Sequence, residues 1–430
     1  MTLTFNRHFT LVLTIASLLE IAVPGSLLAQ GGALAVYEVG TPNIGEAYAG
    51  QSAVASDAST AFLNPAGMTR LAGFQLLAGS QVDLLSTHFR AESSSTAGGN
   101  GGNAGGAFLV PSVYATKSIG DRVSVGFSLN SPFGLGLAYA DDWVGRYAVQ
   151  RIRLSVVEAS PAAAYRVNRW LSVGAGLIVE RAAVTQRTAI PNLFEPALGD
   201  GQIDLRAHGW GTGFRVGALW NAGFRTRIGI TYRSAVGFSL NGSMTPANIG
   251  PVMAAVLPPL SAARIPLSLP QGANVSVVHD LNRSVAVLAD AGWTNWRQFG
   301  RQESQAPDGS TTVVDRNWRD TGRAGLGLRW RANPRTMLHT GVSYDSAPVS
   351  DWDRTPDLPI DRQWRFAAGV TRDLKPSLSV AFTCSYVYLG AARIEKSLGP
   401  LAGRLSGQYA SARLPFFSVS FLFHRSANEE

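Results

Sequence analysis

The sequence predicts an all-β fold, a 14-stranded antiparallel transmembrane β-barrel preceded by a small helical segment, on three observations. Charged residues are only 15% of the 430, yet the mean hydropathy is +0.07, which is too poor in charge for an ordinary soluble domain and too polar for a helical membrane bundle. Apolar residues recur with a period of two along most of the chain beyond Phe74. Between those segments, tight polar turns alternate with long loops rich in Gly and Pro, which is how the two ends of a membrane barrel differ.

The N-terminus reads as a secretory signal peptide, residues 1–29. Arg7 and His8 precede an apolar run at 9–19, and Pro24-Gly25 break it ahead of small residues. Eleven apolar residues are too few to span a bilayer, and Glu20 argues against a retained anchor. Cleavage fits after Ala29, the preferred point, or after Ala35 in Ala33-Leu34-Ala35. Export places the mature chain in the periplasm, the outer membrane or the exterior of a bacterium.

Residues 30–72 form a unit of their own, the hatch. The stretch 44–72 is Ala-rich and small. Asp57 or Ser59 can cap a helical turn through Phe62, and Asn64-Pro65 is an N-cap followed by Pro at the first helical position, where its missing N–H costs nothing. Such a segment cannot form a core alone and must pack inside or against something larger.

Residues 73–424 carry the strands. Ile228, Ile230 and Tyr232 alternate with Arg227, Gly229, Thr231 and Arg233; Leu326, Leu328 and Trp330 alternate with Gly325, Gly327 and Arg329; Phe382, Cys384 and Tyr386 alternate with Thr383 and Ser385. One face is apolar and the other small, polar or basic. A soluble sandwich shows the same alternation. Long apolar faces tipped with Trp or Tyr (Trp170, Trp293, Tyr388) and a Gly- and Arg-rich opposite face favour lipid. Tight turns fall at Gly120-Asp121, Asn168-Arg169, Asn221-Ala222-Gly223, Leu281-Asn282-Arg283, Asn333-Pro334 and 373–376. Long loops fall at 92–106, 132–150, 187–207, 241–266, 300–312, 348–360 and 391–411, so these connections join fourteen strands. Residues 425–430 are left as a short C-terminal tail.

Enzymatic chemistry finds no support. The single Cys384 excludes a disulfide framework and faces lipid by parity; the six His lack H-x-x-x-H spacing; no G-x-S-x-G elbow occurs; and the Gly-rich 209–213 lies in a strand pattern. The expectation is no catalytic residue, no metal and no cofactor. The net charge of +8 is spread without a basic stripe, so lipopolysaccharide phosphates and hatch acids are expected as its partners, and nucleic acid is not.

An ordered series of motifs resembles the FadL/TodX-type (OMPP1) outer-membrane transporters of long-chain fatty acids and hydrophobic compounds. It runs from 45–50 (GEAYAG) and 55–60 (ASDAST) through Asn64-Pro65-Ala66-Gly67, Ser131-Pro132-Phe133-Gly134 and Leu269-Pro270-Gln271. It continues through Trp293-Thr294-Asn295-Trp296 and Trp318-Arg319-Asp320-Thr321 to the block at 344–364. The resemblance implies a 14-stranded barrel closed by an N-terminal hatch (Asn64, Pro65, Ala66). It implies capture of ligand between outer loops, a lumen pocket, and lateral release at a kink in the third strand, here Ser131, Pro132, Phe133 and Gly134. The residues agree with the last point, because Pro132 cannot donate to a ladder and Gly134 and Gly136 weaken pairing. The family's terminal aromatic is here Phe423, followed by seven further residues.

Two loops have the composition of a hydrophobic groove: Leu193 and Phe194 in one, and in the other Ile249, Met253, Val256 and Leu260 at the spacing of one helical face, with Leu257 beside them. Burying each CH₂ of an acyl chain there is worth roughly 0.8 kcal/mol. Arg227, Arg233 and Arg329 face the lumen, where they can contact a carboxylate or pair with acids such as Glu46, Glu180 and Asp290. The function expected is passive transport of long-chain fatty acids by a monomer in the bacterial outer membrane, a multi-pass β-barrel. The alternatives are aromatic-hydrocarbon uptake, a surface adhesin or structural barrel, and a secreted soluble sandwich.

Overall fold

The computed structural model describes residue 35 and residues 39–256, 263–305, 311–398 and 403–425. The expected signal peptide, with its cleavage point after Ala29, and residues 426–430 lie outside the described residues. The strands are β1 (Phe74–Leu84, continuing as Ser86–Ser94), β2 (Ala107–Ile119), β3 (Val123–Ala138), β4 (Arg151–Arg166), β5 (Leu171–Ile190), β6 (Gly201–Asn221) and β7 (Thr226–Arg233, then Val236–Ala247). They continue as β8 (Ala263–Leu269, then Gly272–Asp280), β9 (Val285–Thr294), β10 (Thr321–Asn333), β11 (Thr336–Asp345), β12 (Gln363–Lys375), β13 (Leu378–Tyr388, then Ala392–Ser397) and β14 (Arg404–Arg425). Each pairs antiparallel with the next, and β14 closes on β1, from Phe74 opposite Arg425 to Asp83 opposite Phe416. Closure satisfies the backbone groups that hydrocarbon cannot, so strands cross the membrane where no described helix is long and apolar enough to do so.

All six expected tight turns mark the junctions of consecutive strands at one end of the barrel, with Asn221, Asn333 and residues 373–375 still in the strands they end. The expected long loops fall at the other end; five are shorter than read, because strands run into them, and two are longer, at 295–320 and 346–362. β3 continues to Ala138, β5 to Ile190 and β7 to Ala247; the 300–312 loop contains the hairpin Arg301–Gln305 with Thr311–Asp315. β5, β6 and β14 are 20, 21 and 22 residues long, about twice what hydrocarbon requires, so the loop end stands well clear of the membrane.

This extra height corrects the expectation of a uniformly polar inner face. Near the turn end of β4, the buried inner residues are Glu158, Ser160, Ala162 and Ala164, and Val157 and Tyr165 are exposed outside. Near the loop end of the same strand, Ile152, Leu154 and Val156 are buried inside, while Arg151 is exposed and Arg153 and Ser155 are half-buried outside. The polarity of the wall therefore inverts along one strand. Where lipid surrounds the barrel the outside is apolar, and where water and head groups surround it the outside is polar and the apolar side chains turn in. Exposed aromatics mark both borders: Trp210, Trp293 and Trp364 toward the loop end, Trp220, Phe224 and Trp330 toward the turn end.

Residues 39–71 lie within the lower barrel. A 3₁₀ turn at Pro42–Glu46, a helical turn at Thr60–Leu63 and a 3₁₀ helix at Pro65–Arg70 are joined by tight backbone turns. Asp57 rather than Ser59 supplies the side-chain contact at the start of the second turn, its Oδ1 accepting from the Ser59 N–H at 2.9 Å. Asn64 caps the third, its Oδ1 accepting from the Ala66 N–H at 3.1 Å. Inner-face glycines let this segment touch the wall. A Cβ at Gly217 would run into the Asn64 side chain, one at Gly229 into the Ser52 carbonyl and one at Gly341 into the Glu46 carbonyl.

Candidate functional site

The barrel wall is interrupted at one place by the backbone chemistry read from the sequence. β2 and β3 pair only from Val113 opposite Leu129 to Ile119 opposite Val123. Above Leu129, β3 leaves β2, while residues 107–112 of β2 stay paired to β1. On its other edge β3 carries a bulge: Asn130 opposes Glu158 and Phe133 opposes Val156, three steps on one strand against two on the other. Pro132 sits inside that bulge and has no N–H to offer. Contact with the β2 side returns where the Ala138 N–H donates to the Ala104 carbonyl at 2.9 Å and the Ala140 N–H to Gly101 at 3.0 Å. Ser131, Pro132, Phe133 and Gly134 thus line the base of a window in the β2–β3 seam. Phe133 also forms an isolated antiparallel bridge with Ala35.

Inside the window lies a cavity of about 160 Å³. It is lined by Pro132 and Phe133 of the bulge, Tyr48 and Phe62 of the inner segment, and Arg215 and Arg233 of the wall. Above it is the apolar upper lumen, where Leu154, Val156, Ile178, Val236, Phe238 and Leu269 belong to one buried cluster. Trp296, Phe299 and Trp318, from the β9–β10 connection, fold into this cluster and set an edge-on Trp296 ring 6.3 Å from Phe133.

The lumen arginines are already engaged. Arg329 Nε is 2.5 Å from Glu46 Oε1, and the same oxygen is 2.5 Å from His339 Nδ1. Burial pushes the Glu46 carboxyl upward, but the charges of Arg329 and His339 outweigh it and hold the group at about 2. Arg227 Nη1 lies 3.6 Å from Asp280, and its Nε donates to the Ala53 carbonyl. Arg233 Nη2 is 2.5 Å from Glu180 and 3.6 Å from Glu158, and its guanidinium stacks 4.8 Å over the Phe133 ring. Of the three arginines expected to contact a carboxylate, only Arg233 lines the cavity. Asn64 lies below it, donating to the Ser52 carbonyl at 2.6 Å and to Ala218 at 3.1 Å, with Pro65 and Ala66 buried beside it.

The outer groove is only partly as expected. Leu193 and Phe194 are 60% and 62% exposed. Their loop is tied to the β7–β8 loop by Asn192, whose Nδ2 donates to the Asn248 carbonyl at 2.9 Å and whose Oδ1 accepts from the Gly250 N–H. Ile249 is half-buried. Met253 is a correction: it is buried, on a helix of six residues, Pro251–Val256, and does not continue an exposed face. Leu257 and Leu260 lie outside the described residues, and the Val256 side chain is not described.

Sequence reasoning did not assign the buried aromatic cluster just beyond the loop end of β3. Tyr139 stacks on Trp143 at 3.9 Å between centroids, and its hydroxyl is 2.6 Å from that of Tyr409. Trp296 and Trp318 were legible only as family motifs, without a role.

A family model described as outer membrane protein transport protein (OMPP1/FadL/TodX) matches residues 22–420. The long-chain fatty acid transport protein of Salmonella typhi is 24% identical over 382 residues, covering 84% of this chain and 88% of that one. Among solved structures, a Pseudomonas aeruginosa FadL homologue superposes with a TM-score of 0.82 at 20% identity, over 91% of this chain and 99% of that one. The Pseudomonas putida toluene transporter TodX does so with a TM-score of 0.64 at 14% identity, over 93% and 100%.

Proposed function

Because the chain belongs to the OMPP1/FadL/TodX family of outer-membrane transport proteins, and so is a transporter of hydrophobic compounds rather than an enzyme, we propose how it moves them and which it prefers. The leading ligands are long-chain fatty acids. They are caught at the outer loops near Leu193 and Phe194, held in the apolar upper lumen and the cavity below, and released sideways through the β2–β3 window. The observation that carries this reading is the seam left open above Val113 and Leu129, facing that cavity. A hydrophobic solute gains nothing from a polar exit into the periplasm, whereas a side door delivers it into lipid at no cost in exposed area.

Residues 30–72 act as the hatch of a barrel formed by residues 73–425, one residue longer than read because Arg425 still pairs with Phe74, and transport requires the hatch only to shift. The closed β1–β14 seam leaves no edge to complete with another chain, which supports a monomer. The outward Arg151, Arg153 and Arg206, above the membrane border, suit lipopolysaccharide phosphates.

Monoaromatic hydrocarbons are the second reading, favoured by cavity size: about 160 Å³ is close to that of an apolar cavity known to hold benzene, on the order of 150 Å³. The likeness to TodX agrees with it. The test is uptake of labelled oleate and labelled toluene by cells with and without the gene. Faster oleate uptake in the presence of the gene supports the first reading, faster toluene uptake alone supports the second, and equal rates for both probes remove both.

A further inference from the structure

We propose that the outer wall of β4–β8, just above the lipid border, is a docking site for the phosphorylated disaccharide of lipopolysaccharide, with Arg151, Arg153, Arg206 and Arg264 as its phosphate contacts. The inference rests on the lipopolysaccharide reading above and gives that contact a place, a set of residues and a chemical requirement.

The pairing registers bring these arginines onto one surface. In the top row Arg151 opposes Arg187, which opposes Asp204. One row lower, Arg153 opposes Thr185, which opposes Arg206. One row lower again, His208 opposes Asn241, which opposes Arg264. All of them face outward by parity, because Ile152, Leu154, Ala207 and Leu240 between them are buried inside. Strands lie about 4.8 Å apart, so the backbones of Arg153 and Arg206 are roughly 10 Å apart and the patch is about 19 Å wide. The row beneath is Val157, Arg181 and Trp210, of which Val157 and Trp210 are 40% and 65% exposed where lipid begins. The patch therefore stands at the depth of the outer head groups.

Its charge is unbalanced. Six arginines, these four with Arg181 and Arg187, share the surface with one carboxylate among the described residues, Asp204, which Arg187 holds at 2.8 Å. Among the described residues no carboxylate comes within ion-pair distance of Arg151, Arg153 or Arg206. Arg151 lies directly across from Arg187, a like-charged cross-strand pair that weakens a sheet unless an anion joins it. The rest of the loop-end border is built differently: β9 and β12 carry Trp293 and Trp364 there, and Arg393 of β13 is paired with Glu92 at 3.1 Å.

The chemistry selects the partner. A guanidinium takes a phosphate through two parallel N–H···O bonds. A phospholipid brings one phosphate on a flexible glycerol. A disaccharide phosphorylated at both ends brings two on one stiff frame and engages guanidiniums of neighbouring strands together, so the second contact is intramolecular. Neighbouring lipopolysaccharides need divalent cations to bridge their phosphates. Arginines fixed on a wall serve in place of those cations, so docking here does not require them.

The experiment titrates the detergent-solubilised full chain, in EDTA, with bisphosphorylated lipid A, with its monophosphorylated form and with phosphatidylglycerol, and counts bound lipid by native mass spectrometry. Bisphosphorylated lipid A should bind about tenfold more tightly than either of the others, the worth of one charge-assisted contact. Arg153→Gln combined with Arg206→Gln should weaken its binding about tenfold. Arg90→Gln combined with Arg413→Gln, at exposed arginines of β1 and β14, should leave it unchanged. Heat-modifiable gel mobility reports whether each variant has assembled, and the ranking of the three lipids needs no variant at all. Lipid A binding that the assembled Arg153 and Arg206 double variant keeps overturns the site and leaves the lipopolysaccharide reading standing. Equal affinity for the three lipids, or no lipid A bound by the wild type, removes that reading and the inference with it.

Discussion

Three hydrogen bonds meet on the Asn64 side chain: one caps a helix and two tie the inner segment to its own backbone and to β6. Asn64→Ala removes all of them at about 1 kcal/mol each, while Asn64→Asp keeps the cap and loses the two donors. Hydrogen exchange over residues 64–71 should quicken strongly in the first variant and less in the second, with the barrel strands unchanged. Equal protection in all three proteins would contradict the assignment. Glu46 gives a pH dependence whose sign is fixed. Its carboxyl is held near 2 against an ordinary 4.5, so the anchoring it supplies is complete above 4.5 and is lost as pH falls toward 2, a loss on the order of 3 kcal/mol. Channel conductance in planar bilayers should rise across that interval in the wild type, and Glu46→Gln should conduct at the higher level throughout. A wild-type trace flat down to pH 2 would refute it. At this scale the sequence is legible where the chemistry is local. Asn64-Pro65 announces its cap from adjacent residues. The pairing of Glu46 with Arg329, 283 positions away, could be named only as one of several, because it is decided by which strands the closed barrel sets beside the inner segment.

Among elements, β3 carries the exit proposed above. Its bulge holds one extra residue, and Pro132 keeps the ladder from healing around it. Replacing Pro132 and Gly134 together by valine should let β3 pair further along β2. We expect hydrophobe uptake to fall toward the empty-vector level while the barrel still assembles and shows heat-modifiable mobility. Undiminished uptake with a sealed seam would place the exit elsewhere. The sequence located this break from Pro and Gly but read everything beyond it as loop. Leu135 and Leu137, alternating with Gly134 and Gly136, have the period of a strand and the composition of a loop, and only pairing with Ile152 and Leu154 on β4 decides between them. Of the helical spacing read at 249–260, the described residues form a helix at Pro251–Val256, which buries Met253 rather than displaying it, and residues 257–260 lie outside the described residues.

For the whole molecule, the inversion of polarity along β4 divides the barrel into a lower part built for lipid and an upper part built for water. Period-two alternation reads the same in both halves, which is why the sequence revealed the barrel but not that the upper bore is oily. Substitutions separate the halves. Leu326→Arg, on the lipid face of β10, should destabilise the folded barrel in liposomes by about 2–4 kcal/mol by denaturant titration. Phe238→Asp, inside the upper bore, should leave insertion intact and cut hydrophobe uptake by roughly an order of magnitude. The reverse pattern would place the hydrocarbon slab wrongly. The glycines under the inner segment carry a further consequence. Where that segment leans on Gly217 of β6, Gly229 of β7 and Gly341 of β11, the wall presents bare backbone, so at those points the two surfaces meet like a plain bearing. Resistance to sliding there comes from polar bonds such as those of Asn64 and Glu46, not from side chains having to climb past one another. Mild urea should free the movement long before it melts the cylinder.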